Sequence, residues 1–155
     1  GNIEFYEVPS KRKLRVLARY TGGLRSPVFS PDGTLLAAGA SDGAVTIWEV
    51  AGGEVRHKLT SHKSAVSHVA FSRDGQTLAA VDDLGVIHVW APSTGVLQRT
   101  IRIAQHPVPI KMLEFTPDGR HLVTANPNGT FYVLRLGELQ DASRKGMGGT
   151  TNSRR

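Results

Sequence analysis

A chain of 155 residues, 39% of them apolar, has the length and composition of an ordinary globular domain. It carries 19 Lys+Arg against 13 Asp+Glu, a formal charge of +6, which permits anionic partners without demanding them. Cysteine is absent, which excludes disulfides, zinc–thiolate sites and cysteine nucleophiles, and no apolar run of about 18 residues exists to cross a bilayer as a helix.

The chain opens with "GNIEFYEV", which has neither an initiator methionine nor a charged-then-apolar leader pattern. The start of the protein is therefore expected to lie upstream. A strand-like "KRKLRVLAR" follows at 11–19. Then comes a unit of four predicted strands: "LRSPVF", "TLLAAG", "AVTIWEV" and "EVRHKL". "SPDG" separates the first two, and Asp42-Gly43 separates the second and third. Asp-Gly suits a turn because glycine takes positive φ without steric cost. "AGGE" leads into the fourth strand. The unit then returns as "VSHVAF", "TLAAVD", "VIHVWAP" and "VLQRTI", with turns at "SRDG" and Leu84-Gly85. It begins again as "IKMLEF", "HLVTAN" and "TFYVLRL", with "TPDG" and Asn128-Gly129 between them. The third strands are rich in β-branched and aromatic residues, and no stretch carries a helical period.

The spacing is regular. Phe29 and Phe71 lie 42 residues apart, as do Trp48 and Trp90, while Phe71 to Phe115 and Trp90 to Leu134 are each 44. Stepping back 42 from Gly43 and Trp48 lands on Gly1 and Tyr6, so the chain opens inside a further copy. A period of about 40–45 residues with four strands per unit points to a propeller blade.

At this point the sequence resembles the WD40-repeat family over residues 1 to about 136, carried by three "[ST]-x-D-G" turns in register with Trp48 and Trp90. The resemblance implies an all-β fold: a WD40-like β-propeller arc of four-stranded antiparallel blades forming an incomplete ring. Residues 1–20 would be the end of a truncated blade, 21–62 and 63–106 two blades, and 107–136 a partial one. Thirteen strands make about three and a quarter blades, short of the four to eight that close a ring. The expectation is a segment of a longer parent chain, with ring closure by several copies as the alternative. Residues 137–155 have lost the pattern and are expected to be a disordered, basic, glycine-rich tail.

In that family a blade is tied by a histidine, a Ser/Thr, an aspartate and a tryptophan. The first full copy offers Tyr20, Ala38, Asp42 and Trp48 at these places. The second offers His62, Ala80, Leu84 and Trp90, and the third His106, Thr124, Asn128 and Leu134. No copy keeps the full set. Asp42, Trp48, His62, Trp90, His106, Thr124 and Asn128 are accordingly read as structural.

Little here suggests catalysis. Asp32, Asp74 and Asp118 are turn-formers by the repeat logic, and no P-loop or G-x-G-x-x-G before a helix exists. His57, His62, His68 and His88 lack a local metal-ligand spacing, so neither metal nor cofactor is expected. Asp82-Asp83 is peculiar to the middle copy and reads as two carboxylates alternating across a strand end and facing solvent. An active site on the axis, with His68 and Asp83, ranks last.

Two surfaces remain. Lys11, Arg12, Lys13, Arg15 and Arg19 form a candidate anion rim, with Lys13, Arg15 and Arg19 read on one face of a fourth strand. Aromatic interleaving for base stacking is absent, so nucleic acid is not the expected partner. The loops before the first strands and between the second and third converge on one face: Arg25, Ser41, Lys63, Ser64, Asp83, Lys111 and Pro127 are the candidate partner-binding positions. The expected role is a non-enzymatic scaffold for a peptide or protein, with self-association or missing blades also in view. The alternatives are a regulatory or sensor module ending a larger bacterial signalling protein such as a protein kinase, and an anion binder. The setting is read as cytoplasmic.

Overall fold

The computed structural model describes residues 2–103 and 109–137. Residues 104–108, including His106, and the tail from 138 onward lie outside the described residues. Thirteen strands fall into four antiparallel sheets. The first sheet pairs β1 (Asn2–Tyr6) with β2 (Lys13–Arg19). The second runs in order through β3 (Leu24–Phe29), β4 (Leu35–Ala40), β5 (Val45–Glu49) and β6 (Val55–Leu59). The third repeats that order with β7 (Val66–Phe71), β8 (Leu78–Asp82), β9 (Val86–Ala91) and β10 (Val96–Arg102). The fourth holds β11 (Met112–Phe115), β12 (His121–Ala125) and β13 (Phe131–Arg135). The run "IKMLEF" is strand only from Met112, although Ile110 is still buried with Leu113 in the core beside it.

The hairpin turns are built by side chains as much as by glycine. Ser30, Ser72 and Thr116 each donate a hydroxyl proton to the aspartate two residues on, at 2.5–2.6 Å. The same hydroxyl oxygens accept the backbone N–H of Leu35, Thr77 and His121 where the second strand begins. Asp32, Asp74 and Asp118 in turn accept the N–H two residues ahead, each at 3.0 Å. These bonds favour the ionised carboxylates and hold all three below the ordinary aspartate range. Arg73 replaces proline in the middle turn and the bonding is unchanged. The side-chain pattern, not proline, makes the turn.

Alternation along each strand sends neighbouring residues into two different seams. Leu35, Ala37, Val45 and Ile47 meet Val69, Leu78, Ala80 and Trp90 between the second and third sheets. Ala79, Val81, Ile87 and Val89 face the other way, against Leu113, Leu122 and Leu136 of the fourth unit. Leu36, Ala38 and Trp48 take Ile3, Phe5 and Leu17 of the first sheet. Hence β4 and β8 are buried along their whole length, β4 without a polar side chain and β8 with only Asp82 at its end.

The small residues of the second strands set the spacing of these seams. A Cβ on Gly39 would lie 2.4 Å from Val66 Cγ1 and 2.7 Å from its Cβ. Gly39→Ala is expected to cost about 1–3 kcal/mol by overpacking, measured by urea unfolding. Adding Val66→Ala should cost less in that background than in the parent chain, because the two side chains compete for one volume.

Candidate functional site

Three inner strands, β3, β7 and β11, lie side by side and line a groove of about 470 Å³. Ser26, His68, Lys111 and Glu114 supply its polar lining, Val28 and Met112 its apolar one. Next to Ser26 in the chain, Arg25 Nη1 reaches Asp83 Oδ2 at 3.4 Å, joining β3 to the turn after β8. Asp83 N–H donates to Ala65 C=O at 2.9 Å, which fixes that turn against the start of β7. His68 sits beneath. Burial pushes its pKa down, while a hydrogen bond to the Lys111 backbone and the Asp83 charge pull it up. Ser26 holds φ at +50°, and its hydroxyl accepts the Val69 N–H at 3.2 Å, carrying the seam into the inner strands. An exposed pair such as Arg25–Asp83 is worth at most about 1 kcal/mol. Its consequence is positional: it holds the start of β3 and the turn after β8, from different sheets, in one arrangement.

Of the loop residues named from sequence, Arg25, Asp83 and Lys111 are thus brought together, with His68 between them. Ser41 lies further round, where its backbone N–H and Oγ bond Gly23 C=O and N–H at 3.0 and 3.2 Å. Ser64 stands at the Gly43 turn, where a Cβ would meet the Ser64 and His62 carbonyls at 3.0 and 2.9 Å. Only glycine, at φ +83°, fits that approach. Lys63 and Pro127 are exposed on neighbouring loops. Asn128 Oδ1 accepts Thr130 N–H and Oγ1–H at 3.1 and 2.7 Å, so it shapes its own turn.

The blade-tying positions depart from the pattern in an instructive way. Tyr20 O–H donates to Asp42 Oδ2 at 3.0 Å, so tyrosine does the histidine's task in the second sheet. Lys58 lies over the Tyr20 ring at 5.4 Å and within 3.8 Å of Asp42. In the third sheet the acid is Asp82, not the residue at position 84. Asp82 is 1% exposed, which corrects the reading of it as a solvent-facing carboxylate. Its Oδ2 lies 3.1 Å from His62 Nδ1, and its Oδ1 accepts Leu84 and Val86 N–H. The turn that follows β8 needs an acceptor for those two N–H groups, and that demand draws the carboxylate inward. Asp83 alone of the pair faces solvent.

His88 was not among the residues singled out for this position. It stands opposite Ala80 in the β8–β9 register, filling the space that a small residue leaves. Its ring stacks on His62 at 4.2 Å and 24°, and Trp90 meets both edge-on at 5.6 and 5.5 Å. The cross-strand partner of Ala80 was the signal that would have found it. Thr124, fully buried, faces Tyr132 in the same way. Trp48 and Trp90 are buried at 2% and 1% exposure.

The basic rim is largely engaged within the chain. Lys13 Nζ donates to Glu4 at 2.6 Å and Arg12 pairs with Glu7 at 3.4 Å. Arg15 lies 5.0 Å over the Phe5 ring and donates to the carbonyls of Val50 and Ala51. Since Glu4 and Phe5 are adjacent, Lys13 and Arg15 point to opposite faces, not to one. A register shift between Phe5 and Tyr6 inserts Leu14 and reverses the alternation. Lys11 and Arg19 remain exposed.

The family model for the WD40 domain of anaphase-promoting complex subunit 4 matches residues 19–73, the second sheet together with β7, and the repeat runs through the whole described chain. Over this part of its length the chain is similar to WD40-repeat proteins. Its relatives include Protein HIR1 of Kluyveromyces lactis, 25% identical over 85% of this chain and 17% of that protein. Another is the WD repeat-containing protein 20 homolog of Caenorhabditis elegans, 35% identical over 44% of this chain and 9% of that protein. The chain thus spans a small part of the length of the curated relatives it matches. The β-propeller domain of Cps50 (Swd1) from Myceliophteria thermophila superposes with a TM-score of 0.70, covering 77% of this chain and 36% of that one at 23% identity. That likeness shows the fold.

The stacked histidines give this propeller arc a distinctive acid response. Burial, and then the neighbouring His62, lower the His88 pKa to about 4. His62 is also lowered, by burial against the opposing pull of Asp82. An unfolded histidine takes up its proton near pH 6.5, so between pH 6.5 and 4 the unfolded chain holds more protons than the folded one. Stability is therefore complete above pH 6.5 and falls as pH drops towards 4. Urea midpoints from pH 7.5 to 4.5 should show this decline, and His88→Phe should flatten it.

Proposed function

We propose that the chain is a non-enzymatic interaction module that presents the mouth of the inner-strand groove to a protein or peptide. The observation that carries this is one groove lined from three successive sheets, with His68 and Lys111 in its lining and the Arg25–Asp83 pair close to His68. Each sheet is rigid because its core is shared with its neighbours, so the loops are held without a bound ligand. Such a scaffold binds through a few well-placed residues. The relatives support the same reading: WD40 propellers are protein-interaction scaffolds, and the matched family model is named for a subunit of a multi-protein complex. Arg25 and Asp83 satisfy each other, which leaves the Lys63 and Lys111 ammonium groups as the cations of this face that carry no carboxylate among the described residues. We infer that the partner brings an acidic or carbonyl-rich segment to them. Binding through the rim is the weaker reading, because Arg12, Lys13 and Arg15 are already occupied.

The test is a peptide-display selection on the immobilised chain, followed by affinities of the selected peptides for variants. Lys111→Glu and Asp83→Arg are expected to weaken binding by an order of magnitude or more, while Lys11→Ala and Arg12→Ala leave it unchanged. Binding that survives the face variants, falls with the rim variants and drops steeply with salt would instead mark an anion site.

A further inference from the structure

The buried cluster of His62, Asp82 and His88 shares two pieces of chain with the loop face. Lys63 and Ser64 follow His62 ahead of β7, and Asp83 follows Asp82 in the turn after β8. His62 Nδ1 on Asp82 Oδ2 at 3.1 Å joins these two pieces, and Asp83 N–H on Ala65 C=O at 2.9 Å joins them again. Asp82 Oδ1 holds the turn itself through the Leu84 and Val86 N–H groups. Two histidines, 7% and 6% exposed and stacked at 4.2 Å, thus meet one carboxylate. His62 Nε2 and His88 Nδ1 are buried and have no hydrogen-bond partner among the described residues.

Such a cluster balances one added proton through Asp82. A second would set two imidazolium rings 4.2 Å apart in the interior. The other charged groups around it give no relief. Arg102 on β10 opposes a proton on His88. Asp42, in the β4–β5 turn packed on the His62 carbonyl, is taken by Tyr20 and Lys58. Once the two pieces of chain part, both rings meet water and take up protons as ordinary histidines do. Acid therefore favours the parted form.

We propose that this cluster is a proton-sensitive latch on the loop face. Near neutral pH it holds Lys63, Ser64 and Asp83 in place, and mild acid releases them while the sheets stay folded. As a regulator of binding it rests on the loop face being the binding face; the latch itself does not.

Hydrogen exchange of the whole chain, with each rate divided by its intrinsic rate, tests the latch without a partner. With His88 protonating at about 4 in the closed form and near 6.5 in the open one, amides 83–86 should lose protection about tenfold from pH 7.5 to 5.5. Their exchange should respond little to dilute urea, the mark of a local opening, whereas that of β4 and β5 should respond strongly. His88→Phe keeps a stacked ring and should remove most of the pH dependence. Asp82→Asn keeps an acceptor for the turn and should steepen it, because the closed cluster then balances no proton. A merely structural effect would shift protection equally at both pH values. Histidine ring resonances of the parent chain give a reading without variants: two should titrate below the ordinary histidine value. Equal protection of amides 83–86 at both pH values, or exchange that follows urea as β4 and β5 do, overturns the latch. Peptides selected on the face should bind more weakly at pH 5.5 to the parent chain, and far less so to His88→Phe. Protonation of His68 alone would act the other way on an acidic peptide. Opening without loss of peptide binding would leave the latch standing and remove the loop face as the binding site.

Discussion

Each central sheet of this protein must bury both of its faces, and most of what the structure does follows from that demand. A four-stranded sheet whose strands are apolar on both sides has no solvent face, so it is stable only between two others. The second and third sheets meet the condition, with Ile47 and Trp48, or Val89 and Trp90, sent by strand alternation into opposite seams. Small residues in β4 and β8 let the seams close, and the limiting case is Gly39 against Val66. The side-chain-built turns are consequences of the same geometry, since tightly stacked sheets leave little room at their ends and every N–H there needs a local acceptor.

The loop face depends on this rigidity. Arg25, Asp83, His68 and Lys111 come from three sheets and have no common element, yet His68 and Lys111 line one groove and the Arg25–Asp83 pair sits near His68, because the strands carrying them are locked by the seams. His62, Asp82, His88 and Trp90 play the complementary part below the surface. They tie a loop, a strand end and the core of a blade together, and the aromatic stacking stands in for a hydroxyl that Ala80 cannot supply.

Much of this was legible in the residues themselves. All three first-to-second strand turns, the tight turns at Gly43, Gly85 and Gly129, and the strand order followed from a repeat whose apolar pattern and Asp-Gly signals agree. What sequence missed depends on contacts between strands. Asp82 looked like half of an exposed carboxylate pair because repeat subtraction placed the acid at position 84; only the folded turn shows that its two N–H groups require the earlier residue. His88 was invisible as a partner of His62 because the space it fills is set by the side chain across the sheet, at Ala80. The rim was misjudged for a third reason. The bulge at Leu14 breaks the period-two rule, so Lys13 and Arg15 separate onto two faces.

The central claim is that stability resides in the seams, so sheets covered on both faces should outlast those covered on one. Hydrogen exchange read by mass spectrometry in dilute solution tests this most directly. The account predicts that amides of β4, β5, β8 and β9 exchange slowest and that β1 and β2, packed on one side only, exchange far sooner. Equal protection across all sheets, or the strongest protection in β1 and β2, would contradict it.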